Sequence, residues 1–159
     1  MAYQKIQPFL WFDNQAEEAA DFYTSVFRDS EILAMSYYGE GAPAPAGTVM
    51  TVAFRINGQE FVALNGGPHF TFSPAISFAV NCRTQEEIDY YWEKLSADPQ
   101  REQCGWLQDR YGISWQIVPE ELPELLRSDD PEQARSVMQA MLKMKKLSIS
   151  DLREARQVT

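Results

Sequence analysis

The sequence predicts an α+β fold: two βαβββ modules side by side, forming a curled mixed sheet with a concave cavity, followed by C-terminal helices. Three observations predict it. The chain overlays on itself at an offset of about 68 residues. Each half reads as a strand, a helix and then consecutive strands, with a strong hairpin signal at Asn57-Gly58. From Glu120 the pattern turns helical and acidic. The expected modules span about 1–67 and 75–119 as one domain, and 120–159 is a helical extension.

The first strand is Lys5 to Phe12, and Pro8 within it places it at an edge or makes its start irregular. Asn14, with Glu17 three residues on, predicts a capping box for a helix to about Phe27. Ala16, Ala19, Ala20, Tyr23, Val26 and Phe27 form its apolar stripe. Ser30 to Tyr38 is a strand, and Gly39 to Gly47 is a loop rich in Gly, Pro and Ala. Thr48 to Ile56 and Gln59 to Asn65 are the arms of the Asn-Gly hairpin, and His69 to Pro74 connects the modules.

The order then repeats. Ala75 to Asn81 is a strand, and Thr84 with Glu87 caps a helix whose stripe is Ile88, Tyr91, Trp92 and Leu95. Ala97 to Arg101 is a loop and Glu102 to Gly105 a short strand. A hairpin follows, turning at Asp109-Arg110-Tyr111-Gly112, with Ser114 to Val118 as its second arm. Strand side chains alternate, so Ser114, Gln116 and Val118 face one way and Trp115 and Ile117 the other. Glu120 to Leu126, a segment starting at Asp130-Pro131, and Ser150 to Arg156 read as helices.

One domain is expected from 159 residues, and 45% apolar content is enough for a core. The formal charge of −9 argues against nucleic acid or an anionic membrane as partner, because phosphates are repelled. No apolar run approaches a membrane span. The N-terminal residues lack the basic and apolar regions of a secretory signal, so a cytoplasmic location is expected. Cys82 and Cys104 are the only cysteines; with no CxxC and one His, a Cys/His zinc site is excluded. Both read as buried thiols, with Cys104 the better candidate to face a cavity.

The segments PFLWFDNQAEEAADFYTSVF (8–27), FVALNGGPHF (61–70), YYWEKLS (90–96), QCGWLQDRYGISWQIVP (103–119) and VMQAMLKMKKL (137–147) resemble the PhnB-like branch of the vicinal oxygen chelate superfamily. That superfamily includes glyoxalase I, extradiol dioxygenases and antibiotic-resistance proteins. The branch is often labelled a 3-demethylubiquinone-9 3-methyltransferase domain. The resemblance implies paired βαβββ modules and, in many members, a divalent metal that polarises vicinal oxygens of a substrate. Carried over, the ligand positions fall on Gln7 and Gln116, with Ala75 and Val62 or Ala63 at the other two. Two neutral amides offer no charge to offset dehydration of a dication, so no cofactor is expected. Gln7 and Gln116 are read as hydrogen-bonding groups toward each other or a ligand. The resemblance also implies a homodimer, to which the apolar Met138, Met141, Leu142 and Met144 can contribute.

The candidate ligand-binding residues are Gln7, Phe9, Trp11, Asn65, His69, Cys104, Trp106, Trp115 and Gln116. The aromatics can stack on a flat ligand, and His69 is the default acid/base group. Ordinary core packing is the competing role for the aromatics, turn capping for Asn65, and surface exposure for His69. Methyl transfer is argued against. Gly39-Glu40-Gly41 is followed by Ala-Pro-Ala-Pro rather than by a helix, and consecutive strands contradict the alternating fold that chemistry uses. Two expectations remain: a protein that binds a small, partly aromatic molecule without metal, or a glyoxalase- or dioxygenase-type metalloenzyme with a Gln-containing site.

Overall fold

The computed structural model describes residues 4–127 and 129–157. It divides into two compact units, one through Phe72 and one from Ser73. In the first unit the elements are β1 (Phe9–Phe12), α1 (Ala16–Val26), β2 (Ser30–Tyr37), β3 (Val49–Ile56) and β4 (Gln59–Asn65). The sheet order is β1-β4-β3-β2, with β1 parallel to β4 and the other pairs antiparallel. This is the predicted βαβββ order. Strand β1 is shorter than the expected Lys5 to Phe12. Proline has no N–H to donate, so pairing begins at the Pro8 carbonyl, which accepts from the Val62 N–H at 2.9 Å. Gln7 therefore precedes the strand and is exposed.

Helix α1 buries Ala16, Ala19, Ala20, Tyr23 and Val26. Leu10, Phe12, Val52, Phe54, Phe61 and Ala63 are buried in the strands. Tyr23 stacks on Phe54 with ring centroids 6.0 Å apart, and Phe54 on Phe61 at 5.5 Å. The Asn14–Glu17 capping box does not form. Gln15 is the N-cap and its side chain makes no cap bond. The Ala16 N–H donates instead to Asn65 Oδ1 at 2.8 Å. A side chain from the end of β4 thus satisfies one of the orphan donors of α1.

In the second unit the elements are β5 (Ser77–Cys82), α2 (Gln85–Leu95), β6 (Trp106–Gln108), β7 (Ser114–Pro119), α3 (Leu122–Leu126), α4 (Pro131–Leu142) and α5 (Ile149–Gln157). The sheet order is β5-β7-β6, with β5 parallel to β7. Thr84 Oγ1 accepts from the Glu87 N–H at 3.2 Å, as the capping signal predicts. The strand expected at Glu102 to Gly105 is absent. Gln103 makes one bridge to Trp106, and between them Cys104 and Gly105 have φ of +54° and +85°. Two consecutive left-handed residues make a tight turn, not a strand. The described part of this module is therefore βαββ.

The C-terminal helices share a core of Leu125, Val137, Leu147 and Leu152, with Val118, Leu122, Leu126, Met141 and Met144 packed against it. Met138 and Leu142 are exposed.

Candidate functional site

From Trp115 to Val118 the burial of strand β7 alternates as expected, and Ser114 is buried as well. Trp115 and Ile117 are buried. The Trp115 indole N–H donates to Asp109 Oδ2 at 2.8 Å. Asp109, itself buried, also accepts at Oδ1 from the N–H groups of Tyr111 and Ile113, at 2.8 and 3.1 Å. This carboxylate holds both the turn and the Trp115 side chain. Ser114 and Gln116 are thereby fixed on the opposite face.

Register brings further residues to that face. Trp106 lies opposite Gln116, and Gln108 opposite Ser114. Gln116 Nε2 donates to Ser77 Oγ on β5 at 2.9 Å. A cavity of about 430 Å³ opens at the β6 side, lined by Pro74, Gln100, Arg101, Gln103, Cys104, Trp106, Leu107, Gln108 and Ser114. Its volume suits a small molecule. Trp106 supplies a flat apolar wall, and the amides and hydroxyl supply donors and acceptors.

Of the predicted residues, Cys104 and Trp106 line this cavity and Gln116 is the register partner of Trp106. Trp115 does not: it lies on the buried face of the same strand, because neighbouring strand residues point opposite ways. Gln7, Phe9, Trp11, Asn65 and His69 belong to the first unit. Phe9 is exposed on β1. The Trp11 indole N–H donates to the Gly67 carbonyl at 2.9 Å, and its ring meets Phe70 edge-on. A Cβ at Gly66 would overlap that ring, so only glycine fits beneath it. Asn65 is committed to structure: besides capping α1 it donates to the Val49 carbonyl at 3.1 Å. Its own carbonyl accepts from the Tyr38 hydroxyl. Asn65 and exposed His69 border a separate cavity of about 690 Å³ that includes Asp13, Glu17, Tyr38 and Pro43.

Sequence reasoning missed Gln108 and Ser114, although period-two alternation from Trp106 and Gln116 points to them. It also missed Gln100, Arg101 and Gln103, which come from a 3-10 turn at Pro99–Arg101 and the residues after it. Gln100 and Arg101 fall in a segment read as a loop, which gives side chains no direction, and Gln103 in one read as a short strand.

The two cysteines differ. Cys82 is buried, and burial first, with the Glu87 charge second, pushes its thiol from 9.0 up to about 12. Cys104 is half-buried at the cavity. A thiol reagent at pH 8 is expected to label Cys104 in the native protein and Cys82 only after unfolding. Equally fast labelling of both would contradict the packing around Cys82. The sign of the linkage is also set. An unfolded Cys82 ionises from about pH 9 while the folded thiol keeps its proton, so its contribution to stability falls between about pH 9 and pH 12.

Among the described residues, no three His, Cys, Asp or Glu side chains come together as a metal site. Among the described residues, no helix is long and apolar enough to cross a membrane.

Residues 4–118 match the family described as 3-demethylubiquinone-9 3-methyltransferase. The chain is 43% identical to the PhnB protein from Bacillus cereus, over 72% of this chain and 99% of that one, with a TM-score of 0.61. It is similar in fold to protein PA1353 from Pseudomonas aeruginosa, at 20% identity over 74% and 98% of the two chains and a TM-score of 0.56. It is also similar in fold to the fosfomycin resistance protein FosX from Listeria monocytogenes, solved with Mn(II) and sulfate. There the identity is 16% over 80% and 98% of the chains, with a TM-score of 0.51. No curated protein matches.

Proposed function

This chain belongs to the 3-demethylubiquinone-9 3-methyltransferase family and is PhnB-like with the glyoxalase-type fold, and from that premise we propose that it binds a small, partly aromatic molecule without a metal. The ligand sits on the Trp106 face of the second unit. The observation that carries this reading is the cavity of about 430 Å³, where one indole wall meets the side chains of Gln103, Gln108 and Ser114. Gln116, the inherited ligand position, serves as a hydrogen-bonding group here, and it already donates to Ser77.

The donor set supports the metal-free part. The four ligand positions that the family resemblance implies hold Gln7, exposed and ahead of its strand, Gln116, Ala75 and Val62 or Ala63, none of them charged. Two neutral amides bring no charge to offset the dehydration of a dication, so this donor set does not fit a tightly bound one. The family description names a methyl transfer, yet Gly39-Glu40-Gly41 lies between two antiparallel strands rather than between a strand and a helix. That arrangement gives no phosphate- or nucleoside-binding helix start, which supports ligand binding over methyl transfer. The same reading places the protein in the cytoplasm as a homodimer.

The test is a screen of small aromatic compounds by ligand-observed NMR, paired with metal analysis of the purified protein. Trp106→Ala is expected to abolish binding of the hits while its melting temperature stays close to that of the parent. Binding that is indifferent to Trp106→Ala would remove the site. A stoichiometric metal that disappears in Gln116→Ala would replace the proposal with a metalloenzyme.

A further inference from the structure

We infer that the ligand of the Trp106 cavity carries a negative charge beside its ring. This rests on the reading above, and it names the ligand class. The chain has a net charge of −9, yet among the described residues lining this cavity the only formal charge is the Arg101 guanidinium. The larger cavity of the first unit is the reverse, with Asp13 and Glu17 in its lining.

Arg101 is available. Its one ion pair, to Asp98, is long at 3.9 Å, and both side chains are well exposed. Such a pair holds the guanidinium weakly, so an incoming anion can take it over. The carboxylates nearby do not cancel the charge at the cavity. Glu102 accepts from Ser96 Oγ at 2.6 Å and lies 3.9 Å from the Lys145 ammonium. Asp109 is buried and accepts from three N–H groups.

The neutral groups point the same way. The side chains of Gln100, Gln103 and Ser114 make no hydrogen bond within the described protein, so their donors are open to a ligand. Backbone donors of the rim are already used: Cys104 N–H goes to the Met144 carbonyl and Gly105 N–H to the Lys145 carbonyl, both at 2.8 Å. What remains is one cation, two amides and a hydroxyl around an indole wall. A planar ring bearing a carboxylate fits that set: the ring lies on Trp106 and the carboxylate takes the guanidinium and amide donors.

Three probes with the same ring decide it: benzoate, benzamide and benzylamine, titrated into the full chain and followed by ligand-observed NMR. Benzoate is expected to bind about three- to tenfold more tightly than benzamide, with benzylamine weakest, and added salt should narrow the gap. Arg101→Gln should remove most of the advantage of benzoate over benzamide. If benzamide binds in a Trp106-dependent way and benzoate binds no better, the inference falls and the binding site stands. If none of the three binds, both fall.

Discussion

Asp109→Ala is expected to destabilise the protein by about 3–5 kcal/mol, read as a shift in urea midpoint at unchanged slope. The carboxylate is buried and accepts from two backbone N–H groups and the Trp115 indole. Alanine leaves these donors inside with no acceptor, and each such loss costs about 1–3 kcal/mol. Asp109→Asn separates the parts. Its carbonyl oxygen can replace Oδ1 for Tyr111 and Ile113, but its NH₂ then faces the Trp115 N–H, donor against donor. The asparagine variant should therefore lose about 1–3 kcal/mol. Adding Trp115→Phe removes the conflicting donor, so the double variant should lose less than the two single losses added together. Additive losses would show that the indole bond contributes nothing of its own. The same carboxylate matters to the binding face. A one-residue slip of β7 would exchange Trp115 with Gln116 between core and cavity sides, and Asp109 holds the register that prevents it.

That hairpin was also the most legible part of the chain. Period-two alternation alone places Gln116 and Trp115 on opposite faces, and the burial pattern agrees. The two modules were legible for a related reason: capping, helical stripe and Asn-Gly turn are all local signals. What escaped was settled at long range. Asn65 caps α1 from 49 residues further along the chain, a link invisible to any window of sequence. Asn14 looked like the cap because it has the right chemistry at the right spacing. Glu102 to Gly105 looked like a strand because Cys rarely takes positive φ, and nothing local announces that Cys104 does. The candidate site was half legible. Strand residues Trp106 and Gln116 could be placed by alternation, whereas Arg101 depends on the path of a turn. It is the turn that supplies the charge.

Leu147→Ala is expected to lower stability by about 2–5 kcal/mol and to loosen the cavity rim as well. Leu147 is fully buried among Leu125, Val137 and Leu152, in the helical segment beyond the residues matched by the family. Among the ties between this segment and the module, two bear on Leu147. Gln85 brackets Leu147, donating from Nε2 to its carbonyl at 3.0 Å and accepting at Oε1 from the Ile149 N–H at 2.9 Å. At the second tie, Met144 and Lys145 carbonyls accept from the two left-handed residues Cys104 and Gly105. Gly105 is fitted to Leu147: an added Cβ would come 3.0 Å from Leu147 Cδ1 and 3.1 Å from the Ile117 carbonyl oxygen. Truncating Leu147 removes core volume and the surface against which that turn is pressed. Val137→Ala is the control, since Val137 is equally buried in the same cluster but is not among the atoms nearest Gly105. Under native conditions Cys104 should react with a thiol reagent faster in Leu147→Ala than in Val137→Ala, even after both rates are compared at matched stability. Equal rates would mean that the extension adds stability only. A faster rate for Leu147→Ala makes the C-terminal helices the support that holds the turn beside Trp106 in shape.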